Sequence, residues 1–125
     1  MKNRIKVLLA EDTPAEAHLI QLYLADSPSH QYDIAAVETI AAAVAILSEQ
    51  RFDVILLDYN LPDSAGLLGL SHILEVVNAT PVLILTNHEE ERTALEAVRS
   101  GAQDYLFKRD LNPQVLERSM RYGIE

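Results

Sequence analysis

Three carboxylates, a hydroxyl and an ammonium stand at equivalent places in this sequence, each at the end of a short apolar run. Glu11-Asp12 follows residues 5–10, Asp58 follows 53–57, Thr86 closes 81–86 and Lys108 follows 104–107. Clustered carboxylates repel one another and rise in pKa unless a cation joins them. Magnesium suits such a set because it takes oxygen ligands, using one or two carboxylates plus phosphate oxygens. With a divalent ion beside it, Asp58 stays ionised and can act as a nucleophile. Lys108 and the metal would stabilise charge on a transferring phosphoryl group, and the Thr86 hydroxyl could hydrogen-bond one of its oxygens.

Each residue also has a plainer reading. Glu11-Asp12 can mark a helix start, where the helix dipole favours anions. Asp58 can hold a turn. Thr86 can cap the following helix, and Lys108 can be an ordinary surface lysine. Their common strand-end register gives the set more weight than its members have singly.

The elements that would position them follow from hydrophobic pattern. Val54-Ile55-Leu56-Leu57 and Val82-Leu83-Ile84-Leu85 are continuous apolar runs, as in strands covered on both faces. Residues 32–37 alternate more, as an edge strand does. Thr13-Pro14-Ala15-Glu16 reads as a capping box with proline at the first helical position, ahead of Leu19, Ile20, Tyr23 and Leu24 at helical spacing. Thr39 would cap a second helix carrying Ile40, Val44, Ile46 and Leu47. A third is expected over about 65–77 with Asp63 or Ser64 as its cap. Glu89, Glu90 and Glu91 crowd the first turn of a fourth, which Gly101 can end. Asn112-Pro113 opens a fifth, with Val115, Leu116, Ser119 and Met120 on one face.

Strand and helix thus alternate five times. This predicts an α/β domain, an open five-stranded parallel sheet with helices on both faces, for which the flavodoxin-like doubly wound order 2-1-3-4-5 is the common solution. Such folds gather their sites at the carboxyl ends of the strands.

Composition narrows the function classes. The chain has 125 residues, enough for one domain and too few for two ordinary ones. It has no cysteine, which excludes disulfides, thiolate metal sites and cysteine nucleophiles. No apolar run reaches the roughly 18 residues of a membrane span. Ten basic against 19 acidic side chains give a formal charge of −9. That surface repels nucleic acid and anionic lipid, and suits a cation or a basic partner. Neither a membrane nor direct nucleic-acid contact is expected, and a cytoplasmic location fits.

Four segments together resemble the receiver domain of bacterial response regulators: residues 7–12 (VLLAED), 53–66 (DVILLDYNLPDSAG), Leu85-Thr86 and 101–108 (GAQDYLFK). The resemblance spans nearly the whole chain. It implies that 1–125 is one receiver domain, either alone or excised from a longer multidomain protein. It implies Asp58 as phosphoacceptor. Mg²⁺, with Mn²⁺ as a substitute, would be held by Asp12 directly, by Glu11 through water, by Asp58 and by the Asn60 main-chain carbonyl. Thr86 and Lys108 would contact phosphoryl oxygens, and Tyr105 would be the aromatic switch that moves inward with Thr86. Tyr105 reads equally as a packed strand residue with an exposed hydroxyl. The implied partners are a histidine kinase or histidine phosphotransfer protein, and a downstream protein or fused output domain. The α4-β5-α5 face would carry the signal and is a candidate homodimer surface. The domain would catalyse its own phosphorylation and dephosphorylation without being a conventional enzyme.

Two positions depart from the family pattern. Asn87 stands where alanine or glycine is common, and either lines the phosphoryl entrance or caps the fourth helix with Glu90 three residues on. Arg109 replaces the usual proline after the lysine, so a cis peptide is not expected there. His88 and Asn60 fall at variable positions that tune dephosphorylation in receivers. Two other functions compete: a docking module that never uses phosphate, and a hydrolase on the same layout. The hydrolase reading is weakened because its nucleophile would be expected after the first strand, in an Asp-x-Asp pattern.

Overall fold

The computed structural model describes residues 3–64, 66–87 and 91–125. Its elements run β1 (Asn3–Ala10), α1 (Pro14–Ala25), β2 (His30–Val37), α2 (Ile40–Leu47), β3 (Val54–Asp58), α3 (Leu67–Val76), β4 (Val82–Thr86), α4 (Glu91–Arg99), β5 (Asp104–Phe107) and α5 (Pro113–Ile124). A single 3₁₀ turn, Lys108–Asp110, links β5 to α5. The strands are all parallel, in the order β2-β1-β3-β4-β5. This is the doubly wound order expected from the alternation of elements, with residues 32–37 on an edge.

Strand side chains alternate between the two faces, and each face has its own core. On one face Leu8, Ile55, Leu57 and Ile84 meet Ile40 and Ala43 of α2, Leu70 and Ile73 of α3, and Ala97 of α4. On the other, Val7, Leu9, Leu56, Leu83 and Leu85 meet Ile20 and Leu24 of α1, and Leu116 and Met120 of α5. Every residue of β3 and β4 is buried, which is why these strands read as unbroken apolar runs. Leu19 differs from its expected place on the buried stripe of α1, being 46% exposed while Ile20 and Leu24 carry the packing.

The helix starts match expectation at α2 and α5, match at α1 in position, with Thr13 before Pro14, but not in cap bonding, and differ at α3. The Thr39 hydroxyl accepts from Ala42 N at 3.0 Å, and Asn112 Oδ1 accepts from Val115 N at 2.8 Å. Thr13 makes no side-chain cap bond. Helix α3 begins at Leu67, after Gly66 at φ +56°, a conformation that favours glycine. Ala65, the expected first residue of α3, lies outside the described residues, as do His88, Glu89 and Glu90 before α4. Asp63 does not cap the helix that follows it. Its Oδ1 accepts from Ile40 N at 2.9 Å and its Oδ2 from Ala41 N at 3.0 Å, so it caps α2 across the structure. One carboxylate thereby satisfies two amides that helix geometry leaves open.

Those two amides hold the Asp63 carboxyl below the ordinary carboxylate range. Its stabilising effect is therefore present above the unfolded-state pKa and lost as pH falls through the folded one. Asp63→Ala is expected to cost about 1 kcal/mol at neutral pH, a typical cap loss. Urea melts of the two proteins should differ at pH 7, and the difference should shrink as pH falls below the ordinary carboxylate range.

Candidate functional site

Strand register assembles the site. Ala10 pairs with Leu57, so Glu11 and Asp58, the next residues, lie side by side at the carboxyl ends of β1 and β3. Glu11 N donates to Val37 O at 2.9 Å, fixing its backbone to the end of β2. Asp58 pairs with Leu85, placing Thr86 one step further along β4. Thr86 pairs with Phe107, after which the chain enters the 3₁₀ turn at Lys108. Glu11, Asp58 and Thr86 are buried, at 2%, 4% and 1% exposure.

The Lys108 ammonium is the hub. Its Nζ donates to Asp58 Oδ2 at 3.1 Å and to Glu16 Oε2 at 3.0 Å. It also lies 3.2 Å from Glu11 Oε2. That last contact is within ion-pair range but lacks hydrogen-bond geometry, so this buried Glu11 oxygen keeps an unused lone pair. The second oxygens of Glu11 and Asp58 are held by main chain: Thr13 N donates to Glu11 Oε1, and Asn60 N donates to Asp58 Oδ1, each at 3.1 Å.

Three carboxyl groups crowd around one ammonium. Burial and the adjacent Asp58 carboxylate push the Glu11 carboxyl up to about 8, against the opposing Thr13 N–H and Lys108. For Lys108, burial alone would lower the pKa. The hydrogen bonds and charges of Glu16, Asp58 and Glu11 outweigh it and hold the ammonium well above its ordinary value. Burial likewise pushes Glu16 up, but Lys108 prevails and its carboxyl lies below the usual range. One oxygen from each of Glu11, Glu16 and Asp58 lies within 4.8 Å of the others. Converging hard oxygen donors, excess negative charge and an unused buried lone pair fit a small divalent cation.

The remaining expected site residues take distinct places. Asp12 follows Glu11 and is half-buried, and its carboxylate stands outside the cluster of three. Asn60 is exposed and meets Asp58 through its N–H. The Thr86 hydroxyl donates to Asn87 O at 3.4 Å. Tyr105, beside Ile84 in register, is half-buried and packs edge-on against Phe107, with ring centroids 5.4 Å apart. Arg109 lies in the 3₁₀ turn, and every described peptide bond is trans.

Glu16 was not legible as a site residue. It falls three residues after Thr13, the spacing of a capping box, and that reading absorbed it. The available signal was its place on the first turn of α1, a helix entering directly from the acidic strand end. There its side chain can reach the rim as easily as its own backbone.

The fold and the strand-end acidic site are those of a receiver-type α/β domain: a family model described as the response regulator receiver domain matches residues 7–120, so the chain belongs to that family. It is 32% identical over 103 residues to the transcriptional regulatory protein KdpE of Staphylococcus aureus, covering 82% of this chain and 43% of that protein. It is 37% identical over 100 residues to the regulatory protein LuxO of Vibrio cholerae, covering 80% and 21%. The chain thus spans less than half the length of these relatives.

Among solved structures, the signal receiver domain of a LuxO repressor protein from Vibrio parahaemolyticus superposes with a TM-score of 0.84 at 33% identity, covering 97% of this chain and 90% of that one. The receiver domain of the sensor histidine kinase PA1611 from Pseudomonas aeruginosa superposes at 0.82 with 26% identity, covering 96% and 97%. In that crystal structure a magnesium ion is coordinated in the active-site cleft. Among the described residues, no helix is long and apolar enough to cross a membrane.

The raised Glu11 carboxyl has a measurable consequence. The unfolded chain loses this proton near 4.5 and the folded one near 8, so between them the folded state binds more protons and stability falls as pH rises. In EDTA, urea melts should show this decline from about pH 4.5 to about 8. Glu11→Gln should flatten it, and an unchanged slope in the variant would refute the assignment.

Proposed function

We propose that Asp58 accepts a phosphoryl group from phosphohistidine on a kinase or phosphotransfer protein, and that this covalent change is the signal. The observation that carries the reading is the Lys108 ammonium 3.1 Å from a buried Asp58 carboxylate, at the strand-end rim of a receiver fold. An Asp58 oxygen attacks phosphorus as the P–N bond to histidine breaks, and the electron pair leaves with the imidazole nitrogen. Hydrolysis later breaks the P–O bond to Asp58 and releases inorganic phosphate. Glu11, Asp12, Asp58 and the Asn60 main-chain carbonyl would hold Mg²⁺, which supplies charge neutralisation to phosphoryl oxygens when bound.

In this reading Lys108 compensates the charge that develops on the phosphoryl oxygens, and the Thr86 hydroxyl turns from Asn87 O to bond one of them. Its displacement opens room for the Tyr105 ring. The phosphoryl group thereby biases a two-state equilibrium of the loop after β4, α4 and β5. That face would act on a downstream protein or on an output domain joined to this one. The partial coverage of KdpE and LuxO supports a place for this domain within a longer regulator.

Radiolabelled acetyl phosphate with Mg²⁺ is expected to label the wild-type chain and leave Asp58→Asn unlabelled. Lys108→Met should slow labelling by about 10²-fold, the order expected when a preorganised charge is lost. Undiminished labelling of Asp58→Asn would refute the acceptor assignment. Failure of the wild type both to be labelled and to bind beryllofluoride would instead favour the phosphate-independent docking module.

A further inference from the structure

The Lys108 ammonium is already shared when no phosphoryl group is present. It donates to Asp58 Oδ2 and Glu16 Oε2, with Glu11 Oε2 in ion-pair range. An ammonium has three N–H groups. Two of them are engaged by Asp58 and Glu16, so a phosphoryl oxygen that bonds Lys108 must share the ammonium with these carboxylates and enter beside their charge. Glu11 and Asp58 are buried and fixed to the main chain by the Thr13 and Asn60 amides. Glu16 differs in both respects. Its side chain is 43% exposed, and it reaches the site from the first turn of α1 rather than from a strand end. It is the partner with somewhere to go.

We infer that Glu16 is a positioning residue that competes with the incoming phosphoryl group for the Lys108 ammonium, and so sets how readily Asp58 is occupied. The inference rests on the phosphoacceptor reading of Asp58. Glu16 acts in two ways. Its hydrogen bond holds Lys108 toward α1, and its negative charge, less than 4.8 Å from Asp58, opposes an arriving anion. The same charge should favour a cation in the cluster. Neutralising Glu16 therefore moves two affinities in opposite directions, which a loss of folding could not do.

The test compares wild type with Glu16→Gln and Glu16→Asp. Mg²⁺ binding is followed by calorimetry, and beryllofluoride binding at saturating Mg²⁺ by ¹⁹F NMR. Glu16→Gln is expected to bind beryllofluoride about 5–10-fold more tightly and Mg²⁺ about 2–3-fold more weakly, the scale of one partly screened charge. Glu16→Asp keeps the charge but shortens the reach, so it should hold wild-type Mg²⁺ affinity and gain part of the beryllofluoride tightening. Equal beryllofluoride affinity in wild type and Glu16→Gln, or weakening of both ligands together, would overturn the inference while Asp58 labelling stands. Absence of both labelling and beryllofluoride binding in the wild type would remove the phosphoacceptor reading and this inference with it.

Discussion

A half-buried ammonium among three carboxylates, two of them buried, is the constraint on which the rest of the structure turns. Removing charges from water is costly, and mutual attraction offsets that cost only when geometry is good and the remaining lone pairs are met. Lys108 meets three carboxyl groups within 3.2 Å, and their crowding is strong enough to raise the Glu11 carboxyl to about 8. The site is a stable arrangement that still favours additional positive charge. Two fully buried strands, β3 and β4, give it a rigid floor, and the main-chain amides of Thr13 and Asn60 set the angle of the acids.

The sheet was legible because its signal is redundant. Apolar runs, their spacing and the helix-start residues between them all point to one alternating order, and a parallel sheet with both faces covered tolerates few other solutions. The strand-end acids were legible for the same reason: register puts the residue after each strand on a common rim. Thr39 and Asn112 cap their own helices, each accepting from the amide three residues on.

Long or well-placed acids escape that logic. Glu16 and Asp63 both carry the spacing of a local helix cap, and both bond to groups distant in sequence. Glu16 reaches Lys108, 92 residues on, and Asp63 reaches the start of α2, 23 residues back. In each case a local rule of modest energy yields to a partner that only the folded chain supplies. For Glu16 that partner is a charged group, whose hydrogen bonds are stronger than neutral ones. For Asp63 it is a pair of open amides, against the single bond a helix cap usually makes.

The Asp63 clasp ties the segment just after Asp58 to a helix on the far side of a crossover. Helix α2 has no acidic residue in its own first turn, so its opening amides depend on a borrowed carboxylate. The protons on Ile40 N and Ala41 N are thus sealed only while the 59–64 segment keeps its shape. Their exchange with deuterated solvent would act as a built-in gauge of that segment's excursions, readable by spectroscopy at the start of α2.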